Sequence, residues 1–156
     1  MKSLVVYYSR TGNAKFVAET IAAELGSDTE EVIDLKNREG KLGYLGGGSD
    51  AARGKETEIS ETKRSPAEYD LVIVGTPVWV GRPTPAIRTY LHKNDLSGKK
   101  VALFFTQSSP KAQAIDKTKA LMPNSTFIGE LTIPDPLNKK EESEKRVSEW
   151  CSKLKT

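Results

Sequence analysis

Leu4-Val5-Val6-Tyr7-Tyr8, followed by Ser9-Arg10-Thr11-Gly12-Asn13-Ala14, is the stretch on which the fold turns. Its first half is continuous, β-branched and aromatic, the pattern of a strand buried on both faces. Its second half is polar turn material. From Ala14 onward the apolar residues Phe16, Val17, Ile21, Ala22 and Leu25 fall at helical spacing, and Gly26 ends the run. A buried strand, a short polar loop and an amphipathic helix make the first half of a βα unit.

The same alternation continues along the chain. Glu31 to Leu35 reads as a second strand. Tyr69 to Gly75 is the clearest strand of all, and Thr76 to Pro85 follows as a loop with three prolines and one glycine. Ala86 to His92 reads as a helix, with Pro85 acceptable in its first turn. Val101 to Phe105 is another apolar strand, Thr106 to Pro110 a polar loop, and Lys111 to Leu121 a helix. Thr126 to Ile133 makes a fifth strand. Lys139 to Leu154 makes a charged last helix with Val147, Trp150, Cys151 and Leu154 on one face. Lys36 to Thr62 is expected to be irregular. It holds Gly40, Gly43, Gly46, Gly47, Gly48 and Gly54, and only a short helix through Ala51, Ala52 and Arg53 is expected in it.

Apolar strands alternating with helices imply a parallel sheet covered on both faces. With right-handed crossovers this predicts an α/β fold, a three-layer doubly wound sandwich on a five-stranded parallel sheet. At 156 residues the chain suits one domain, residues 1–156.

Composition narrows the function. Hydrophobic residues make up 37% and charged residues 29%, and the formal net charge of +3 is spread over both signs. That is too mild and too mixed for a nucleic-acid partner. The single cysteine, Cys151, forbids an intrachain disulfide, and one histidine with no cysteine cluster speaks against zinc. The run Leu4 to Tyr8 is too short for a signal or membrane segment, so a cytoplasmic location and no membrane partner are expected. Asn124-Ser125-Thr126 is then a chance sequon.

In a doubly wound sheet, ligands bind beyond the carboxyl ends of the strands, where strand order switches. Three loops leave those ends. Ser9 to Asn13 precedes a helix N-terminus, which offers unpaired N–H groups and partial positive charge to an anion. Ser9, Thr11 and Asn13 add donors, Gly12 adds backbone freedom, and Arg10 adds a charge. A plain N-cap cluster explains the loop equally well on its own. Thr76-Pro77-Val78-Trp79-Val80-Gly81 sets a tryptophan in a proline-stiffened loop, where it suits a planar ring; the alternative is that Trp79 plugs the edge of the core. Thr106-Gln107-Ser108-Ser109 offers amide and hydroxyl groups to a heterocycle edge, or else Ser109 caps a helix with Pro110 at its first position.

Some patterns mislead. Gly48 to Lys55 has one residue too many for a phosphate-binding P-loop, and Glu56 stands where Ser or Thr belongs. Gly46-x-Gly48-x-x-Ala51 fits a dinucleotide fingerprint by letters only, because no strand precedes it. His92, at a helix C-terminus, is given no catalytic role, and Lys139 to Arg146 reads as a solvated helix face.

Tyr8-Ser9-Arg10-Thr11-Gly12-Asn13-Ala14 resembles the phosphate-binding signature of the flavodoxin family. Gly75-Thr76-Pro77-Val78-Trp79-Val80-Gly81 resembles its second flavin loop. The resemblance, to the short-chain form, covers nearly the whole chain except Arg38 to Ile59. It implies noncovalent flavin mononucleotide (FMN), with Ser9, Thr11, Gly12, Asn13 and Ala14 around the phosphate. Trp79 would stack on or flank the ring, and the backbone near Gly81 would face flavin N5. There are departures. Ala14 replaces the family's usual hydroxyl residue, and Arg10 is the candidate to compensate. The third loop lacks a ring-covering tyrosine, and the chain is slightly basic where familiar flavodoxins are acidic. Pro83-Thr84-Pro85-Ala86 is more similar to flavodoxin-fold quinone or flavin reductases. The implied function is electron transfer between redox partner proteins. The alternative is an FMN-dependent NAD(P)H:quinone or flavin oxidoreductase, acting on a small quinone or flavin by hydride transfer at N5. The carrier is favoured by small size and the lack of a nicotinamide motif. A phosphorylated receiver module is excluded, because Ser9-Arg10 and Thr76 stand where its acidic residues belong.

Overall fold

The computed structural model describes residues 1–107 and 112–155. The strands are β1 (Ser3–Tyr7), β2 (Asp28–Glu31), β3 (Leu71–Trp79), β4 (Arg82–Pro83), β5 (Lys100–Thr106) and β6 (Thr126–Ile133). The helices are α1 (Asn13–Leu25), α2 (Gly40–Ala52), α3 (Pro85–Lys93), α4 (Ala112–Lys119) and α5 (Lys140–Leu154). The parallel order is β2-β1-β3-β5-β6, with β4 paired antiparallel to β3. The five parallel strands are those of the expected doubly wound sandwich, and the order reverses between β1 and β3.

The apolar runs are continuous because both faces of the sheet are covered. Leu4, Val6, Val72, Val74, Leu103 and Phe105 pack with Ala86, Ile87 and Tyr90 of α3. The alternate residues Val5, Tyr7, Leu71, Ile73, Ala102 and Phe104 pack with α1 and with Val147, Trp150 and Cys151 of α5. This is the period of two that a strand imposes. Each fully buried Val, Leu or Ile contributes about 1.5–3 kcal/mol.

Burial also sets a pH limit. Tyr7 and Tyr8 are 4% and 5% exposed, and burial above all pushes both phenols from 10.0 up to about 12. The unfolded chain releases these protons near pH 10 and the folded chain near 12. Their contribution to stability is therefore complete below pH 10 and is lost as pH rises from 10 to 12. A spectrophotometric titration should show a late-ionising tyrosine class that coincides with alkaline unfolding. Ionisation of every tyrosine at the ordinary value, with the fold intact, would contradict this.

Three elements differ from expectation. The second strand is Asp28–Glu31, not Glu31 to Leu35. Val32 still donates to the Tyr7 carbonyl at 2.8 Å, but the chain then leaves the sheet and Ile33 and Leu35 are exposed. The expected loop after Gly75 continues β3 as far as Trp79 and returns through β4 as a hairpin. The stretch read as irregular carries a helix of 13 residues, α2. Among the described residues, no helix is long and apolar enough to cross a membrane, and no group of His, Cys, Asp and Glu is arranged to hold a metal ion.

Candidate functional site

The reversal of strand order opens a crevice at the carboxyl ends of β1 and β3. A cavity of about 690 Å³ lies there, within the range of roughly 300–1,000 Å³ usual for small-molecule sites. Its walls are the loop after β1 (Ser9, Arg10, Thr11, Asn13, Ala14), the end of β3 (Pro77, Val78, Trp79) with Val80, the end of β5 with Gln107, and α2.

The loop after β1 is shaped by Gly12, whose φ of 98° is closed to other residues without strain. The Ser9 hydroxyl accepts the N–H groups of Gly12 and Lys15, each at 3.1 Å. Phe16 N–H goes to the Gly12 carbonyl at 3.0 Å. That leaves the N–H groups of Asn13 and Ala14, at the positive end of α1, without a partner among the described residues. Thr11 accepts from the Asn13 side chain at 3.2 Å and keeps its own O–H to donate. The N-cap reading and the anion reading therefore coexist: Ser9 caps, and the remaining donors are free. Asn13 Oδ1 also accepts Leu137 N–H at 3.1 Å, which fixes its amide.

Among the described residues, Arg10 is the one charged residue lining the cavity. Its guanidinium donates to the Arg38 carbonyl at 2.7 Å and the Gly40 carbonyl at 3.1 Å, and it lies 5.6 Å from the centre of the Tyr44 ring. Its contacts hold the entry to α2.

The hairpin from β3 to β4 turns through Val80 and Gly81, with φ of 52° and 68°. Two positive φ values match the right-handed twist of the flanking strands. Gly81 takes this freely, whereas a β-branched Val80 is strained there, and Val80 is 64% exposed on the cavity rim. Val80→Asn should raise stability by about 1 kcal/mol, read as a higher denaturant midpoint at unchanged m-value. A lower midpoint would show that the valine side chain matters more than its backbone. Thr76 is fully buried and does not reach the cavity. Its hydroxyl donates to the Pro77 carbonyl at 2.8 Å and accepts Thr84 N–H at 3.2 Å, bracing the hairpin base. Gly12 and Gly81 shape the walls without lining them.

Trp79 meets Tyr8 edge-on, with ring centres 5.7 Å apart. On its other side lies α2. A Cβ on Gly47 would stand 2.7 Å from the indole, and one on Gly43 would stand 2.2 Å from the Arg38 carbonyl carbon. The glycines let α2 lie against the tryptophan. The helix packs inward through Gly47 and Ala51, while Leu42, Tyr44 and Leu45 face outward. Sequence reasoning missed its contribution of Tyr44, Leu45, Gly48, Ser49 and Ala52 to the cavity. The signal was a cluster of glycines and small residues, which marks close approach as well as looseness.

A buried ion network anchors α2. Arg38, 4% exposed, donates to Asp34 at 3.0 Å and Asp50 at 2.7 Å. Desolvation opposes its charge, but its hydrogen bonds to Asp50 and Asp34 prevail and raise its pKa. The hydrogen bond from Arg38 holds the Asp50 carboxyl below the ordinary carboxylate range.

At the far end, Thr106 and Gln107 line the cavity. Gln107 Oε1 is buried without a hydrogen-bond partner among the described residues. Ser108 and Ser109, expected in this loop, lie outside the described residues. The residues present fit FMN: unpaired amides at a helix start for a dianion, an indole beside the cavity, and an orphaned amide oxygen for a ring N–H.

A doubly wound α/β protein with its ligand crevice at the β1/β3 switch point is the class that these observations define. The family model described as flavodoxin matches residues 2–154, and the chain belongs to the flavodoxin family. A flavoprotein of Lactobacillus acidophilus NCFM, crystallised in complex with FMN, is 26% identical with a TM-score of 0.71, over 90% of this chain and 97% of that one. Oxidised flavodoxin 2 of Bacillus cereus is 21% identical with a TM-score of 0.64, over 98% and 97%. A Fusobacterium nucleatum flavodoxin bound to flavin mononucleotide is 15% identical with a TM-score of 0.62, over 99% and 98%. No curated protein matches the chain.

Proposed function

We propose that the chain binds FMN noncovalently in this cavity and carries electrons between redox partner proteins. The observation that supports this best is the pairing of unclaimed Asn13 and Ala14 amides at one end of the cavity with Trp79 and the orphaned Gln107 oxygen at the other. Bound FMN supplies reversible electron storage. The chain's own residues bind and orient it. Thr11 and the α1 amides take the phosphate, and Trp79 is held by Tyr8 and Gly47 to flank the ring. Gly48, Ser49 and Ala52 of α2 close one side of the cavity, with Tyr44 and Leu45 on its exposed rim.

Thr11→Ala should weaken FMN about tenfold or more and leave riboflavin nearly unchanged, because a hydrogen bond to a charged group is lost. Parallel titrations of both flavins check it; equal losses would move the phosphate elsewhere.

A second reading, an NAD(P)H-dependent quinone or flavin reductase, is favoured by the exposed rim at Val80 and Leu45, where a planar substrate has access. Stopped-flow mixing of the FMN-loaded protein with NADPH separates the two. A carrier bleaches slowly. Bleaching as fast as enzyme turnover would establish the reductase.

A further inference from the structure

Two arginines converge just outside the cavity wall with no acid between them. Arg82 on β4 is the register partner of Trp79, so both side chains leave the same face of the hairpin. Arg88 rises from α3. A point one bond from the Gly54 Cα lies 3.8 Å from Arg88 Cζ, 3.9 Å from Arg88 Nη1 and 4.0 Å from Arg82 Nη1. Both half-buried side chains therefore come within 4.0 Å of one point over Gly54, at the end of α2.

Neither makes a hydrogen bond or ion pair among the described residues. Arg88 Nε is buried with no hydrogen-bond partner among the described residues. Burial first, and then the field of Arg82, holds the Arg88 pKa below the ordinary arginine range. Glu56, the acid whose field reaches Arg88, is taken by His92 Nδ1 at 2.8 and 3.1 Å. The carbonyls that end α2 do not need the arginines. Ser49, Asp50 and Ala51 accept from Arg53, Lys55 and Gly54 N–H groups. Two desolvated like charges repel, and a buried N–H without an acceptor is costly. A single bound anion offsets the repulsion directly.

We propose that Arg82 and Arg88 form an anion subsite beside the cavity mouth, which receives the phosphate monoester of a small diffusible molecule. A phosphate monoester is a dianion that balances two cations, where a carboxylate supplies one charge. Its oxygens meet guanidinium forks in bidentate fashion. A compact dianion also concentrates its charge at the one point that both guanidinium groups approach, which carboxylates spread over an acidic protein surface do not. The proposal rests on the second of the two readings, the reductase, and gives its small reactant a handle next to Trp79.

The test is a titration of the FMN-loaded protein, with its phosphate cradle filled, by adenosine 2′-monophosphate, adenosine 5′-monophosphate, inorganic phosphate, adenosine and an oligoglutamate peptide. The Arg88 Nε–H resonance is followed by NMR. One or both nucleotides should shift it saturably and more tightly than inorganic phosphate, and adenosine should not. Arg82→Lys and Arg88→Lys, which keep the charge but lose the fork, should each weaken nucleotide affinity about tenfold, read from the Arg88 Nε–H resonance in the first variant and from the Arg82 Nε–H resonance in the second. Four results would overturn the proposal: no saturable shift with either nucleotide, inorganic phosphate binding as tightly as the esters, a response to oligoglutamate instead, or wild-type affinity in both variants. Flavin fluorescence reports FMN occupancy in the same sample. If FMN does not bind, the same titration of the chain as purified still decides the subsite, so the two failures are distinguishable.

Discussion

Gly75→Ala should destabilise the protein by about 3 kcal/mol or more, at the upper end of what overpacking usually costs. Gly75 lies in the middle of the sheet, opposite Tyr7 on one side and Phe104 on the other. A Cβ there would stand 1.8, 2.1 and 2.4 Å from three atoms of the Phe104 ring. That ring is fully buried, so it has no solvent to move into. Domains are stable by only about 5–15 kcal/mol, so the loss should appear as a fall in Tm of roughly 10 °C. Phe104→Leu, which removes the clashing ring atoms, should recover part of the loss in the double variant, whereas independent sites would give additive losses. A wild-type Tm for Gly75→Ala would mean that the sheet separates more easily at this point than its packing implies.

Arg38→Ala should release α2 and open the cavity. The substitution strips Asp34, 2% exposed in its side chain, and Asp50 of their shared cation. Removing one member of a buried ion pair usually costs about 3–5 kcal/mol, because the charge left behind is uncompensated. Lys36, which also contacts Asp50 at 3.0 Å, is mostly exposed and replaces little of this. α2 has few apolar anchors, so much of the cost should appear as local opening. Hydrogen exchange across residues 40–52 should accelerate, and flavin affinity should fall about tenfold or more. The wild-type anchor has a defined acid limit. The folded pKa of Asp50 is depressed below 3.8, so its contribution is complete above 3.8 and is lost as pH falls through the lowered value. Unchanged exchange in α2 would show that Gly47 and Ala51 alone hold the helix.

The readability of the chain follows from where its information lies. β1 and β3 are legible because full burial demands unbroken apolar runs, and α1 because Ala14, Val17, Ala18 and Ile21 repeat on one buried face. That the loop after β1 borders a cavity was legible too, since Ser9, Thr11 and Asn13 follow a buried strand at the sheet's carboxyl edge. α2 was not. Glycine is unfavourable within helices, and here the usual pattern is inverted, with glycines inward and Leu42, Tyr44 and Leu45 outward. Contacts with Trp79, distant in sequence, and the Arg38 network, which pairs across 4 to 12 residues, explain why it is helical. The hairpin was hidden for another reason: Val80-Gly81 is not one of the usual turn pairs, because valine disfavours positive φ. β2 was displaced because the polar Asp28–Glu31 sits on an edge strand, while the more apolar Val32 to Leu35 lies beyond the sheet.

What these walls are for is tested most directly by an equilibrium titration of the protein with FMN, followed through flavin fluorescence. One FMN per chain should bind saturably, with its emission quenched beside Trp79. Emission that stays that of free FMN at every protein concentration would contradict the account at its root.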